Sequence, residues 1–308
     1  GGVLFWRGGP LGGSLAVLLA GCCFGHAFYC LEGGPIPLTL DRVLWAALIA
    51  HYLVWRRMGT LDPKPIGRAD VVLLAWIGLL LISTFTHPFS VDGYKPVSRL
   101  LFYYLMPLGM YWVARQSRWN ARSSDILLIG LGCFGLYLAA TAVAEVRDWS
   151  WAVWPRYIAS PKFPAFLGRG RGPLLNPAGN GFILSTCLAA TVLLWPRAGR
   201  LGRTAIALAV PLYLAGIYCT LTRSVWLGAF GALAVSVWYV LPKTWRLPSI
   251  VGGVVLVAAV GLTQWENLLS FKRDENLGAQ EAAESIKLRP ILAMVAWQMF
   301  LDDPLTGC

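Results

Sequence analysis

The sequence predicts an all-α protein, a polytopic integral membrane bundle of about nine to ten spanning helices. Of its 308 residues, 57% are hydrophobic and only 13% are charged, whereas about a quarter of an average soluble domain is charged. Apolar runs of about 17–22 residues recur along the chain, long enough to cross ~30 Å of hydrocarbon as helices. These runs are continuously apolar rather than alternating, which favours helices over a β-barrel.

The predicted spans follow one another with mostly short connections. We place them near residues 11–31, 37–55, 70–87, 98–114, 125–145, 177–195, 204–220, 224–241 and 247–263, with a further span starting at 291–301. We expect a single membrane domain over 1–308, with an outer interfacial loop at 146–175 and an outer segment at 264–290. The chain starts without methionine and stops within a turn, so we expect it to be incomplete. A large outer loop and the last spans would then follow residue 308.

Basic residues in the short connections indicate the orientation of the spans. Four connections are basic and alternate along the chain, and we assign them to the cytoplasmic side: 56–69, 115–124, 196–203 and 242–246. Arg7 places the N-terminus on the same side. The connection at 221–223 and the long segments at 146–176 and after 264 then face outward.

The outer side is nevertheless rich in cations, within a net charge of +11. The cationic residues assigned to it are Arg147, Arg156, Lys162, Arg169, Arg171, Arg223, Lys272, Arg273, Lys287 and Arg289. Clustered cations at a membrane surface suit an anionic ligand such as a phosphate or diphosphate. Contact with anionic lipid headgroups is the alternative for each of them taken singly.

The segment 146–176 combines aromatic, proline and arginine residues. Its aromatic residues are typical of a stretch lying along the bilayer surface, and its prolines argue against one continuous helix. Arg169 and Arg171 then lie in a glycine-rich turn before Asn176-Pro177. Proline suits the first turn of a helix and asparagine its N-cap, so we predict a helix that points its positive end outward beside two arginines. A plain capped helix start is the alternative.

Arg223 lies in a connection of only a few residues between two apolar runs, 204–219 and 224–241. An arginine at such a turn can be an ordinary interface anchor. A guanidinium in a turn too short for a solvated loop, between Thr222 and Ser224, favours a functional role instead.

Three stretches resemble the O-antigen ligase/polymerase family of bacterial cell-envelope enzymes. Arg169-Gly170-Arg171-Gly172-Pro173-Leu174-Leu175-Asn176-Pro177 is similar to the family's R-x-G-x-f-x-N-P-N start of a middle span. Thr220-Leu221-Thr222-Arg223-Ser224-Val225-Trp226-Leu227-Gly228 is similar to its T-x-S-R-x-x-W-L-G turn. Arg289, Trp297 and Pro304-Leu305-Thr306-Gly307 are similar to its R-x-x-x-W…P-L-x-G-x-G segment. Two positions depart from these patterns, Ala178 for the second asparagine and Thr222 for the common serine.

The resemblance implies a GT-C-like glycosyltransferase in the bacterial cytoplasmic (inner) membrane, with its active face outside the cytoplasm. Such enzymes move a glycan from a polyprenyl diphosphate to an acceptor hydroxyl on lipid A-core, another glycan or a protein. Donor, acceptor and membrane lipids are therefore the expected partners. No cofactor is implied, and the dispersed basic residues do not indicate nucleic-acid binding.

In this interpretation arginines stabilise the diphosphate as it leaves, because a guanidinium binds two oxygens at once and stays charged. We predict Arg223 and Arg289 as catalytic residues. The predicted substrate-binding residues are Arg169, Arg171, Asn176, Thr222 and Ser224. We predict no metal site, because the adjacent carboxylates of Asp302 and Asp303 have no evident further ligand. The functional histidine of the family is expected in the missing outer loop, and His26, His51 and His87 are not assigned that role.

Two other classes of protein remain open. A lipid-linked glycan flippase or transporter would show ionisable residues at mid-membrane depth or paired broken spans, whereas charges here lie mostly at span ends. A metal-dependent membrane glycosyltransferase would carry an acidic motif in an early outer loop, where the sequence offers only Glu32, Asp41 and Asp92.

Overall fold

The computed structural model describes residues 2–25, 28–31, 38–86, 96–263, 279–302 and 304. Within these ranges the long elements are helices. Their bounds are α1 Gly2–Cys23, α2 Leu40–Arg57, α3 Arg68–Thr86, α4 Pro96–Leu100, α5 Met106–Gln116, α6 Ala121–Val146, α7 Pro177–Leu193, α8 Arg200–Cys219, α9 Arg223–Val240, α10 Lys243–Thr263 and α11 Ala279–Asp302. A π-helical turn, Leu101–Leu105, joins α4 to α5.

The prediction of an all-α fold is confirmed for the described residues, which contain no strand beyond one isolated bridge between Leu31 and Leu38. Five helical segments there are long and apolar enough to cross a membrane: Arg68–Thr86, Ala121–Val146, Pro177–Arg197, Arg200–Cys219 and Arg223–Val240. Gly8–Cys23 and Pro290–Asp302 are shorter apolar helices.

The predicted count of nine to ten spans is not confirmed. The other predicted spans coincide at least in part with helices, several of which are short, interrupted or charged. α2, for example, carries Asp41 and Arg42 in its first turn and Arg56 and Arg57 in its last. α1 is kinked at Gly9-Pro10 and ends at Cys23, well before the predicted end at residue 31.

The chain divides into two compact units. The first contains the described residues of 1–30, 39–41 and 119–274, and its core lies between α1, α6, α7, α8 and α9. Apolar side chains from these helices are fully buried there, among them Leu138, Leu184, Leu188 and Ile217. The Tyr213 hydroxyl is satisfied in this core by the Gly132 carbonyl, 2.6 Å away, and by Thr191.

Small residues let the helices of the first unit approach closely, as in other membrane bundles. A Cβ atom at Gly216 would lie 2.7 Å from the Ala139 Cα on α6. A Cβ at Gly181 on α7 would lie 2.3 Å from a methyl group of Val225 on α9. Since Gly181 and Val225 each lie near the start of their helix, and α7 and α9 pack extensively, the two helices begin side by side.

The second unit contains the described residues of 31–38, 42–118 and 275–308. Its α2 and α5 are tied together by a hydrogen bond of 3.1 Å from the Trp45 indole to the Met106 carbonyl. Asp70, buried on α3, accepts a hydrogen bond from the Tyr111 hydroxyl and forms an ion pair with Arg115 at 2.6 Å.

Candidate functional site

The connection between α8 and α9 consists of three residues, as the sequence predicts. α8 ends at Cys219, Thr222 is the N-cap of α9, and Arg223 is the first helical residue. Leu221 adopts a left-handed conformation with φ of 50°, which is uncommon for a residue with a large side chain. The surrounding structure must therefore stabilise this turn.

Arg169 supplies much of that stabilisation. Its guanidinium donates hydrogen bonds to the Thr220 carbonyl at 3.0 and 3.2 Å, to the Leu221 carbonyl at 3.2 Å and to the Thr222 hydroxyl at 2.8 Å. The Thr222 hydroxyl in turn donates to the Thr220 carbonyl. We call these four residues the turn cluster. Because the carbonyls at the end of α8 lack partners within the helix, a buried guanidinium is well suited to satisfy them.

Gly170 lets the loop approach the end of α8. Its N–H donates to the Cys219 carbonyl at 2.8 Å. A Cβ atom at this position would lie 2.8 Å from the Ala142 Cβ and 3.2 Å from the Cys219 carbonyl carbon, so a larger residue would push the loop away. Glycine here is required by close packing against α6 and α8.

Trp226 fastens the first turn of α9 to the last turn of α8. Its indole N–H donates to the Ile217 carbonyl at 3.1 Å, and its ring stacks on Tyr218 with centroids 5.4 Å apart. The Thr220 hydroxyl bonds the same Ile217 carbonyl at 2.7 Å. The conformation of the turn is therefore fixed by contacts on both sides.

Arg171 points into the loop rather than outward. Its guanidinium is fully buried and donates to the carbonyls of Phe163, Ala165 and Ile158. Burial lowers the pKa of Arg171, and the nearby Glu145 carboxylate opposes that shift. These hydrogen bonds stabilise the irregular segment before Arg171 as one folded loop.

Glu145, near the end of α6, holds the glycine-rich turn. Its carboxylate oxygens accept hydrogen bonds from the backbone N–H groups of Arg171 at 3.3 Å and Gly172 at 2.8 Å. The Arg171 Nε lies 3.9 Å away. Gly172 has φ of 56°, and a Cβ there would lie 2.5 Å from the side-chain oxygen of Asn180 on α7, so this turn also requires glycine.

The prediction of Asn176 as a helix cap is confirmed. Its side-chain oxygen accepts hydrogen bonds from the N–H groups of Ala178 at 3.0 Å and Gly179 at 3.2 Å, and Pro177 occupies the first helical position. α7 and α9 thus direct their positive ends toward the same end of the unit, beside the turn cluster. Arg223 and Ser224 are exposed at that end.

Residues 206–308, which contain both Arg223 and Arg289, match the family model described as O-antigen ligase. No curated protein and no solved structure matches the chain at a significant level. Over this stretch the chain is related to the O-antigen ligases. The family is of the ligase/polymerase type of membrane enzyme, and with the apolar helices it indicates an integral membrane protein.

The structure brings together some of the predicted site residues. Arg169 and Thr222 are in contact, and Arg223 and Ser224 follow directly in the chain. Arg289 lies on α11 in the second unit, and its side chain lies outside the described part of the structure. So do Leu305, Thr306 and Gly307 of the third family motif.

Two residues that hold the loop before α7 are absent from the predicted set. Glu145 is a carboxylate at the end of a long apolar run. An ionisable residue at such a position is a candidate for a specific role, so the sequence could have identified it. Tyr157 donates to the Pro173 carbonyl at 2.8 Å and also contacts the Cys23 carbonyl at the end of α1. The role of Tyr157 becomes evident only in the folded loop. In the sequence Tyr157 is one of many aromatic residues of this segment, and nothing distinguishes it from the others.

A small cavity of about 110 Å³ lies between the end of α6 and the loop. Glu145, Asp148 and Ser150 are among the residues that line it. This volume is sufficient for several water molecules.

Proposed function

We propose that this protein transfers a glycan from a polyprenyl diphosphate carrier to an acceptor hydroxyl at the outer face of the bacterial cytoplasmic membrane. The acceptor oxygen forms a bond to the anomeric carbon while the bond from that carbon to the diphosphate oxygen breaks. The diphosphate leaves with the electron pair, and the acceptor proton passes to a general base. Glu145 is not that base in our proposal, because loop N–H groups occupy both of its oxygens.

Arg223 is the residue that we assign to the leaving diphosphate. The observation that carries this assignment is its place at an exposed helix start directly after the turn cluster, within the segment that matches the family. Negative charge on the diphosphate grows as the bond breaks. A guanidinium fixed there would stabilise the transition state more than the ground state, without a metal ion.

The other predicted residues take different roles in the proposal. Arg169 and Thr222 hold the turn, and Arg171 holds the loop that carries Arg169. Their guanidinium and hydroxyl groups are engaged with the protein, which supports positioning rather than direct contact with the diphosphate. Asn176 and Ser224 remain candidates for contact because both are exposed at the same end. Arg289 remains a candidate second arginine on the family motif alone.

A transfer assay tests the proposal. The full-length protein, reconstituted in lipid vesicles with a polyprenyl-diphosphate-linked glycan and a hydroxyl acceptor, should form the transferred product at an unchanged rate in EDTA. Loss of product in EDTA would favour a metal-dependent glycosyltransferase. Movement of the donor across the bilayer without product would favour a flippase and contradict the proposal.

Arg169→Lys should lower the transfer rate about 10- to 100-fold, because one ammonium group replaces only part of a buried guanidinium contact with three acceptor residues. The fall should appear in kcat more than in the donor KM, since the turn rather than the binding surface is altered. Steady-state kinetics of the reconstituted protein measure both.

Thr222 provides the matched controls for this variant. Thr222→Ser keeps the hydroxyl and should retain activity close to that of the wild type. Thr222→Ala should lower it, and the double variant with Arg169→Lys should lose less than the product of the two single losses, because both changes remove the same contact. Independent effects, or a rise in donor KM alone, would contradict the positioning role of Arg169.

A further inference from the structure

An apolar groove of about 410 Å³ lies in the second unit, between α2, α3 and α5. Its α2 wall is formed by Ile49, Tyr52 and Leu53, and its α5 wall includes Leu108 and Trp112. These positions follow helical spacing, so each helix presents one continuous apolar face to the groove. The side chains that line an unfilled groove of this kind lack dispersion contacts on one side, and a bound hydrocarbon chain would supply them.

The path of the chain explains why the groove exists. Pro107 cannot donate a backbone hydrogen bond, and the helix widens into the π turn Leu101–Leu105 just before it. Gly109 brings α5 near the Trp45 ring, because a Cβ there would lie only 3.0 Å from that ring. α2 and α5 therefore meet through the large side chain of Trp45 at one level and leave space beside it.

One end of the groove is polar and cationic. The Tyr52 hydroxyl, at the groove wall, accepts hydrogen bonds from the Arg56 guanidinium at 3.0 Å and the Trp112 indole at 3.1 Å. Arg56 lies one turn beyond Tyr52 on the same face of α2 and is exposed. One of the five N–H groups of the Arg56 guanidinium makes this hydrogen bond, which holds the guanidinium at the end of the groove.

The acidic residue in the first turn of α3 does not neutralise the charge of Arg56. Asp70 is buried and already paired with Arg115 at 2.6 Å. The connection after α2 adds Arg57, Lys64 and Arg68, against the single carboxylate of Asp62. By its basic residues this is the side that the sequence assigns to the cytoplasm, where the membrane leaflet carries anionic lipids.

We propose that the groove binds an anionic phospholipid of the membrane, with an acyl chain along the apolar walls and the phosphate at Arg56. An apolar groove alone would accept any lipid. The guanidinium fixed at one end of it adds a preference for a headgroup with net negative charge, as in other basic pockets between membrane helices. This site does not depend on the transfer reaction proposed above.

Native mass spectrometry of the full chain in mild detergent tests the site. Titrated with phosphatidylglycerol or phosphatidylcholine of the same acyl chains, the protein should retain one phosphatidylglycerol about five- to tenfold more strongly. Glycerol phosphate, which has the headgroup charge without the acyl chains, should not be retained.

Three variants sharpen the test. Arg56→Ala should remove the preference for phosphatidylglycerol, while Arg57→Ala, its neighbour at the end of α2, should keep it. Leu53→Trp fills the groove from an exposed position and should abolish retention of both lipids in protein that stays monodisperse. Equal retention of the two lipids by the wild type, equal losses in both arginine variants, or retention of glycerol phosphate would each overturn the proposal.

Discussion

Arg223→Lys should lower glycan transfer by about 10²–10³-fold while leaving membrane insertion and folding intact. Lysine keeps the positive charge but loses the planar fork that binds two phosphate oxygens together. Arg223 is exposed and starts α9, so the substitution removes no buried packing. Transfer rates of the reconstituted full-length protein, compared at equal amounts of protein, give the measurement.

Arg200 is the matched control for this substitution. It is also an exposed arginine at the first position of a long apolar helix, but it begins α8 at the end remote from the turn. Arg200→Lys should therefore transfer glycan at the rate of the wild type. Activity of Arg223→Lys within a few-fold of that control would refute the assignment of Arg223 to the leaving diphosphate.

Arg171→Met should destabilise the protein by about 3–5 kcal/mol, because it leaves several buried carbonyls without a hydrogen-bond donor. These are the carbonyls of Phe163, Ala165 and Ile158. A buried carbonyl without a partner is costly, so the loop should lose its fold before the helices do. Unfolding followed in detergent, and protease cleavage within 147–176, would detect both effects.

Arg156 offers a control within the same loop, since it is exposed and Arg156→Met should change stability little. If Arg171→Met is as stable as Arg156→Met, the buried guanidinium does not hold the loop.

The helices and the short α8–α9 connection were predictable because each depends on local sequence. Continuous apolar runs determine where a helix can cross hydrocarbon, and Asn176-Pro177 determines where α7 begins. The count of spans was harder to predict, since α2 is helical as expected but carries charges at both ends. An apolar run alone does not distinguish such a helix from a complete crossing.

The direction in which an arginine points was not predictable from sequence. Arg169, Arg171 and Arg223 all lie in family-like motifs, and all three were predicted to belong to the substrate site. In the fold, Arg169 contacts the turn, Arg171 is buried in the loop, and only Arg223 is exposed. Residue type and spacing predict that a guanidinium lies near the site. They do not predict its hydrogen-bond acceptors, because these are backbone carbonyls, which every residue possesses.

The sequence by itself determined the helical class, the family relationship and the place of Arg223 at a turn. These follow from hydropathy and from residues close together in the chain. Only the tertiary structure decided that Arg169 holds that turn from a position 54 residues earlier, and that Glu145 holds the glycine-rich turn that follows Arg169. The reason is physical: buried polar groups must find partners wherever the fold supplies them, and those partners are set by packing rather than by sequence distance.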